Sequence, residues 1–383
     1  MKNIYLDNNA TTRIAPEVID AMQPFFTDLW GNPSSMHYFG GQVGRHLDAA
    51  RASVAALIGA DPTEILFTSC GTESNNTAIR GAVEAAGGNL RVITTRVEHP
   101  AVLGPARWLK EQGLEVVELG VDGQGHLDLA DLREALRAGP ALVSIMWANN
   151  ETGVVFPIEE IAAIVKEAGS ILHTDAVQSV GKLPVDVREV PVDLLSLSGH
   201  KLHAPKGIGA LYIRKGTKLK PLLIGGHQEH GRRGGTENIP YIVGLGRACE
   251  LAGLHREDEQ KRVAALRDKL EAGLLAACPD TSVNGDRRQR LPNTSNISFQ
   301  YIEGESILYH LSDLGIGASS GSACTSGSLE PSHVIRAMGV PFTAAHGSIR
   351  FSLSRFTTEE EIDFVIEQMP AIVTRLRELS PFV

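Results

Sequence analysis

The sequence predicts an α/β fold in which a mostly parallel sheet is covered by helices on both faces and followed by a smaller domain. Two observations predict it. Between residues 64 and 214, short apolar runs alternate with amphipathic segments of helical period, the pattern of parallel strands joined by crossover helices. The residues with the most chemistry to offer gather just after the C-terminal ends of those runs, where sheets of this kind bind ligands. A chain of 383 residues, 43% of them hydrophobic, can form two domains with a sizeable core.

Residues 1–14, with Asn8-Asn9-Ala10-Thr11-Thr12, read as an extended arm of amide and hydroxyl groups. A helix follows over 16–26. Gly31-Asn32-Pro33 breaks the chain, and 42–57 forms a second helix with Val43, Leu47, Val54 and Leu57 near one face. Strands are expected at 64–69, 91–95, 115–119, 142–147, 171–174, 192–197 and 209–214. Helices are expected from the Cys70-Gly71-Thr72 turn to Ala86, then at 103–112, 128–137 and 158–168. Beyond the sheet, helices are expected at 238–252, 256–277 and 306–314, with a strand at 296–299 and a tail that begins at 348–353. Thr358 and Glu361 form a capping box for a last helix, which Pro370 should kink.

The net charge of −9 argues against nucleic acid or an anionic membrane as the main partner. The first residues lack the apolar core of a signal peptide, and no apolar run approaches the ~20 residues that span a bilayer. Cys70, Cys249, Cys278 and Cys324 form no CxxC pair and have no zinc-type spacing, which suits free thiols in a reducing cytoplasm.

Several places carry candidate chemistry. Lys201 follows the buried run 192–197 in Ser198-Gly199-His200-Lys201; partial desolvation there lowers a lysine pKa and frees the amine for Schiff-base formation, although many such segments are solvated turns. Gly71 and Thr72 open a helix directly after a strand, so unpaired N–H groups and the helix dipole can receive an anion; capping by Thr72 or Ser74 is the plainer alternative. Neither the Walker lysine pattern nor GxGxxG is present at that turn. His99, Asn150, Asp175, Gln178, Ser198 and His200 lie with Lys201 just past expected strand ends. The glycine-rich segment 225–238 is basic and suits an anion or a neighbouring subunit. Its His227 and His230 lack the companions of a metal site. Cys249 and Cys278 sit on apolar helical stretches as structural thiols, and Cys70 is ambiguous. Cys324 stands among small polar residues, Ala318 to Ser328, where a thiol is accessible as a nucleophile.

Taken together, these residues resemble, over essentially the whole chain, the pyridoxal-phosphate-dependent cysteine desulfurases of the class V aminotransferase family, and within them the nitrogen-fixation (NifS) type. The matching segments run from Tyr5-Leu6-Asp7-Asn8-Asn9-Ala10-Thr11-Thr12 through Glu98-His99-Pro100, Asn149-Asn150-Glu151, His173-Thr174-Asp175-Ala176-Val177-Gln178 and Ser198-Gly199-His200-Lys201. They continue through Arg233-Gly234-Gly235-Thr236 and the Cys324 segment to Ser348-Ile349-Arg350. The resemblance implies fold type I, the aspartate-aminotransferase-like fold. It implies a large domain over 15–254, a small one from 1–14 and 255–383, and a homodimer with its sites at the subunit interface.

It further implies pyridoxal 5′-phosphate bound through Lys201 rather than Lys206, with Asp175 on the pyridinium nitrogen, His99 on the ring face and Gln178 on the phenolic oxygen. Gly71, Thr72, Ser198, His200 and Thr236 of the partner subunit would surround the phosphate, while Asn150, near the cofactor, and Arg350 would hold the substrate carboxylate. L-cysteine would yield its sulfur to Cys324 as a persulfide and leave as L-alanine. The persulfide would then pass to an acceptor such as an iron–sulfur scaffold protein. His203-Ala204-Pro205 and Ala344-Ala345-His346-Gly347 resemble the nitrogen-fixation branch more than the housekeeping branch. Two rivals remain: another enzyme of the same fold, such as a selenocysteine lyase or an aminotransferase, for which Cys324 is dispensable, and a non-catalytic sulfur-trafficking protein, which would carry no chromophore.

Overall fold

The computed structural model describes residues 3–320 and 330–380. Its centre is a seven-stranded sheet of β1 (Ile65–Thr68), β2 (Arg91–Thr95), β3 (Val116–Leu119), β4 (Ala141–Ser144), β5 (Ile171–Asp175), β6 (Leu194–Ser198) and β7 (Gly209–Ile213). The strand order is β1-β7-β6-β5-β4-β2-β3. Strands β2 to β6 pair in parallel, and β7 runs antiparallel to both β6 and β1.

Side-chain alternation explains why both faces are covered. Ile65, Phe67, Ile93, Val143, Leu195 and Tyr212 point into one core, with helices Tyr38–Ile58, Ile158–Glu167 and Ile239–Asp258. Their neighbours Leu66, Val92, Leu142, Leu194 and Leu211 point into another, against helices Gly71–Ala85 and Pro100–Glu111. Strands buried on both sides need apolar residues at every position, hence the continuous runs in the sequence.

A further core joins Ile4 and Leu6 of the N-terminal arm to helices Ala264–Ala277, Gly304–Asp313 and Glu359–Glu378. They pack on an antiparallel sheet of Thr281–Val283, Thr294–Phe299 and Ser348–Ser352. Ile4–Tyr5 pairs in parallel with Ile316–Gly317, a short ladder that periodicity does not reveal.

Two expectations differ. The helix over 16–26 is two pieces, Pro16–Met22 and Pro24–Thr27, because Pro24 has no N–H to continue the ladder. The helices at 238–252 and 256–277 are one run, Ile239–Asp258 and Ala264–Ala277 joined by a π-helical turn at Glu259–Val263. The last helix has its capping box on Thr358 and Glu361, and it continues through Pro370 to Glu378. Among the described residues, no helix is long and apolar enough to cross a membrane.

Candidate active site

The carboxyl ends of β1, β2, β4, β5 and β6 open onto one cavity of about 420 Å³. Ten of the twelve expected site residues line it: Gly71, Thr72, His99, Asn150, Asp175, Gln178, Ser198, His200, Lys201 and Arg350. Thr236 does not. It is exposed and lines a different cavity with Arg233 and Asn238. Cys324 lies outside the described residues.

Lys201 ends the short 3-10 turn Gly199–Lys201 that follows β6. Its Nζ donates to the Asn9 carbonyl and, at 2.7 Å, to the Ala10 carbonyl, so the N-terminal arm closes one side of the site. Burial, assisted by the charges of Lys182 and Arg350, lowers its pKa to about 7. Much of this amine is therefore unprotonated near neutrality, as a nucleophilic lysine must be. Burial likewise takes His200 down to about 4, so its ring is neutral while Nδ1 meets Thr11 Oγ1 at 3.2 Å. His99 caps helix Pro100–Glu111 by accepting from Ala101 N through Nδ1 at 3.1 Å, which puts the proton of the neutral ring on Nε2. Burial lowers its pKa, against the pull of Asp175.

Asp175, the last residue of β5, is held by two donors: Asn75 Nδ2 at 2.7 Å and Val177 N at 3.0 Å. Asn75 escaped the sequence reading. The available signal was its place one turn beyond Gly71 on the same helix. The Nε2 of Gln178 donates to the Asn9 carbonyl at 3.0 Å, and its Oε1 accepts from Lys182 Nζ at 3.1 Å. Arg350 is buried; its Nη2 pairs with Asp7 at 2.8 Å and its Nη1 donates to the Asn150 carbonyl at 3.0 Å. Any carboxylate arriving at Arg350 must therefore compete with Asp7.

At the Gly71 turn, the helix begins without a side-chain cap. Ser74 is not the cap: its Oγ bonds Thr68 Oγ1 at 2.8 Å and the Ala210 carbonyl at 3.1 Å. Glu73 is turned away, accepting from Ser69 N at 2.7 Å and Arg233 Nε at 3.0 Å. Beside the turn, Ser198 Oγ is buried with no partner among the described residues. A Cβ on Gly71 would meet Val177 Cγ2 at 2.9 Å. Uncapped amides, a waiting hydroxyl and backbone that tolerates no side chain make an anion cradle. With a partly neutral lysine and a doubly held carboxylate across the cavity, this donor set fits the phosphate, aldehyde and ring nitrogen of pyridoxal 5′-phosphate.

The basic segment 225–238 uses its charge differently from the expectation. Arg233 pairs with Glu73, and Arg232 donates to the carbonyls of Thr63 and Ile65. Both cations hold the chain to itself, because bare carbonyls and a carboxylate at the sheet edge need donors. Cys249 and Cys278 are buried, and burial raises both thiol pKa values, which fits their structural reading. Cys70, ambiguous in sequence, lines the cavity.

The chain on either side of the Cys324 segment is tied to the site. Ser319 and Arg350 exchange backbone hydrogen bonds of 3.2 and 2.6 Å. Beyond it, Ser332 Oγ donates to buried Glu151, and His333 Nε2 meets the Glu98 carbonyl at 2.9 Å.

Comparison with known proteins agrees with this geometry. The family model described as aminotransferase class-V matches residues 4–365. A protein named cysteine desulfurase from Trichormus azollae is 62% identical over 382 residues, covering 100% of this chain and 96% of the relative. Cysteine desulfurase NifS of Azotobacter vinelandii is 60% identical over 383 residues, covering 100% of this chain and 95% of that protein. A solved structure described as a NifS-like protein superposes with a TM-score of 0.92 at 39% identity, covering 98% of this chain and 100% of that one. The chain belongs to the class-V aminotransferases and, within them, to the pyridoxal-phosphate-dependent cysteine desulfurases.

Proposed function

We propose that this desulfurase converts L-cysteine to L-alanine through the residues gathered in the cavity, with Lys201 as base and cofactor anchor and Cys324 as sulfur acceptor. The observation that carries the reading is Lys201: an amine of depressed pKa at the cavity wall, facing the Asp175 carboxylate and the uncapped Gly71 turn. Pyridoxal 5′-phosphate, when bound, supplies an electron sink that weakens bonds at the substrate Cα and Cβ.

The chain's own residues do the rest. Gly71, Thr72, Ser198 and His200 hold the phosphate. Asp175, held by its two donors, would face the ring nitrogen, and His99 would lie against the ring. Arg350 and Asn150 receive the substrate carboxylate, with Asp7 as the group displaced. Lys201, once neutral and released, takes the Cα proton. The Cys324 thiolate then attacks the substrate sulfur: an S–S bond forms, the S–Cβ bond breaks, and the carbon fragment keeps the electron pair, which protons complete as L-alanine.

The anchoring of Ser319 to Arg350 and of Ser332 to Glu151 supports the assignment to Cys324, since both flanks of its segment meet the substrate side of the cavity. The distance of Thr236 from the cavity of its own chain supports a homodimer in which that residue serves the partner's phosphate. The core that joins Ile4 and Leu6 to residues 263–373 supports a large unit over 15–254 and a smaller one from 1–14 and 255–383, with Val334 and Met338 of the smaller unit packing into the core of the large sheet. An iron–sulfur scaffold in the cytoplasm is the proposed acceptor, and the NifS relative favours nitrogenase maturation as the pathway.

An absorbance scan of the purified protein tests the reading first: a visible chromophore should be present and should vanish in Lys201→Ala. Cys324→Ala should keep the chromophore and lose sulfide and alanine production from L-cysteine. Full turnover by that variant would exclude Cys324 as the nucleophile.

A further inference from the structure

Lys182 is buried behind the site, and the reaction as derived makes no use of it. It does not line the main cavity; it lines a small one behind Lys201 together with Glu259 and Arg355. Its Nζ donates to both the backbone carbonyl and the side-chain Oε1 of Gln178, each at 3.1 Å. An ammonium group donates and cannot accept, so it dictates which end of the amide faces it. The oxygen of Gln178 must point at Lys182, and the NH₂ must point the other way. There one N–H reaches the Asn9 carbonyl at 3.0 Å, the carbonyl that also receives Lys201.

Lys182 is held in turn from the far side. The π-helical turn Glu259–Val263 brings Gln260 Nε2 to the Lys182 carbonyl at 3.1 Å and places the buried Glu259 carboxylate in the cavity that Lys182 lines. Single π turns recur at functional sites because they re-aim side chains that a regular helix would point elsewhere.

We propose that Lys182 is a positioning residue for the cofactor, locking the Gln178 amide so that only N–H groups face the cavity and an anionic ring oxygen is the group it can receive. This rests on the reading that Gln178 contacts pyridoxal 5′-phosphate. Without Lys182 the amide is free to turn its oxygen toward that anion, and the contact changes from attractive to repulsive.

The test is a double-mutant cycle read by titrating pyridoxal 5′-phosphate into the cofactor-free protein and following the visible band. Gln178→Ala and Lys182→Met should each weaken cofactor binding by about tenfold, the scale of an outer residue that orients an inner one. The double variant should be no weaker than Gln178→Ala alone, because Lys182 acts through Gln178. Lys182→Arg, which keeps a donor, should recover most of the loss. Lys182→Met leaves Glu259 facing an apolar side chain; if that variant fails to give a cooperative melt, Lys182→Met with Glu259→Gln takes its place in the cycle. Wild-type affinity in the Lys182 variant, or losses that add in the double variant, would overturn the inference and leave the role of Gln178 standing. Wild-type affinity in Gln178→Ala would bring down the reading and the inference with it.

Discussion

Two desolvated lysines, Lys182 buried and Lys201 half-buried, lie close together at the site, and they differ in one respect that matters. Burial lowers Lys201 to about 7 and Lys182 to about 8, so charge alone does not distinguish them. Lys201 opens onto the cavity and, among the described residues, is held by two backbone carbonyls, weak partners that a reaction can displace. Lys182 does not line that cavity; it is bonded to Gln178, and the Glu259 carboxylate shares with it the small cavity behind Lys201. Desolvation makes an amine able to lose its proton, but access decides whether it becomes a nucleophile or a strut.

The largest effect that would break this contrast is on turnover. Lys201→Ala should lower alanine formation by about three orders of magnitude or more, whereas Lys182→Met, saturated with cofactor, should stay within about tenfold of wild type. Comparable losses in steady-state assays would mean that access is not what separates them. A smaller effect concerns the charge near Lys201. Arg350→Lys loses the planar fork shared between Asp7 and Asn150, so KM for L-cysteine should rise by about tenfold to a hundredfold with kcat much less changed. A fall confined to kcat would move Arg350 from binding to chemistry.

The smallest effect is on stability. Lys201 titrates near 7 when folded and near about 10.4 when unfolded, so between these values the unfolded chain binds more protons and stability rises with pH. Below about pH 7 the folded protein carries the full cost of a buried ammonium. In the cofactor-free protein, Lys201→Met should therefore be favoured over wild type at pH 6, and that advantage should shrink by roughly 2 to 3 kcal/mol toward pH 9. Comparing the two proteins at each pH cancels Glu98 and Glu151, which burial raises to about 8 and about 7 in both. Urea unfolding at the two pH values measures the difference; a gain that does not change with pH would place the Lys201 pKa near its ordinary value.

The legible part of the molecule was the part written locally. Strand 91–95 was read to the residue, because it is an apolar run ended by a turn. The strand exits at Thr72, His99, Asp175 and Lys201 announced themselves as polar residues following buried runs. What stayed hidden are pairings between distant positions, for which no period exists. Asn75 meets Asp175 across 100 residues, and Asp7 meets Arg350 across 343. The π-helical turn was hidden for another reason: Glu259, Gln260, Lys261 and Arg262 fall inside the expected helix 256–277, and a single wider turn leaves no mark in its period, yet that turn brings Gln260 to the Lys182 carbonyl.

The arm that closes the site also dates it in the life of the chain. The large sheet is complete once residue 213 has been made. The Asn9 and Ala10 carbonyls that receive Lys201 belong to a stretch fastened by the Asn9 side chain to Thr294, by Asn9 N to Ser352 and by Asp7 to Arg350. Those partners leave the ribosome well after the sheet, which by then has had time to fold. A chain arrested before the strand Ser348–Ser352 would own every residue of the phosphate cradle and Lys201 itself, but not the clasp that holds the arm across them. Stable capture of the cofactor would then have to wait for that strand.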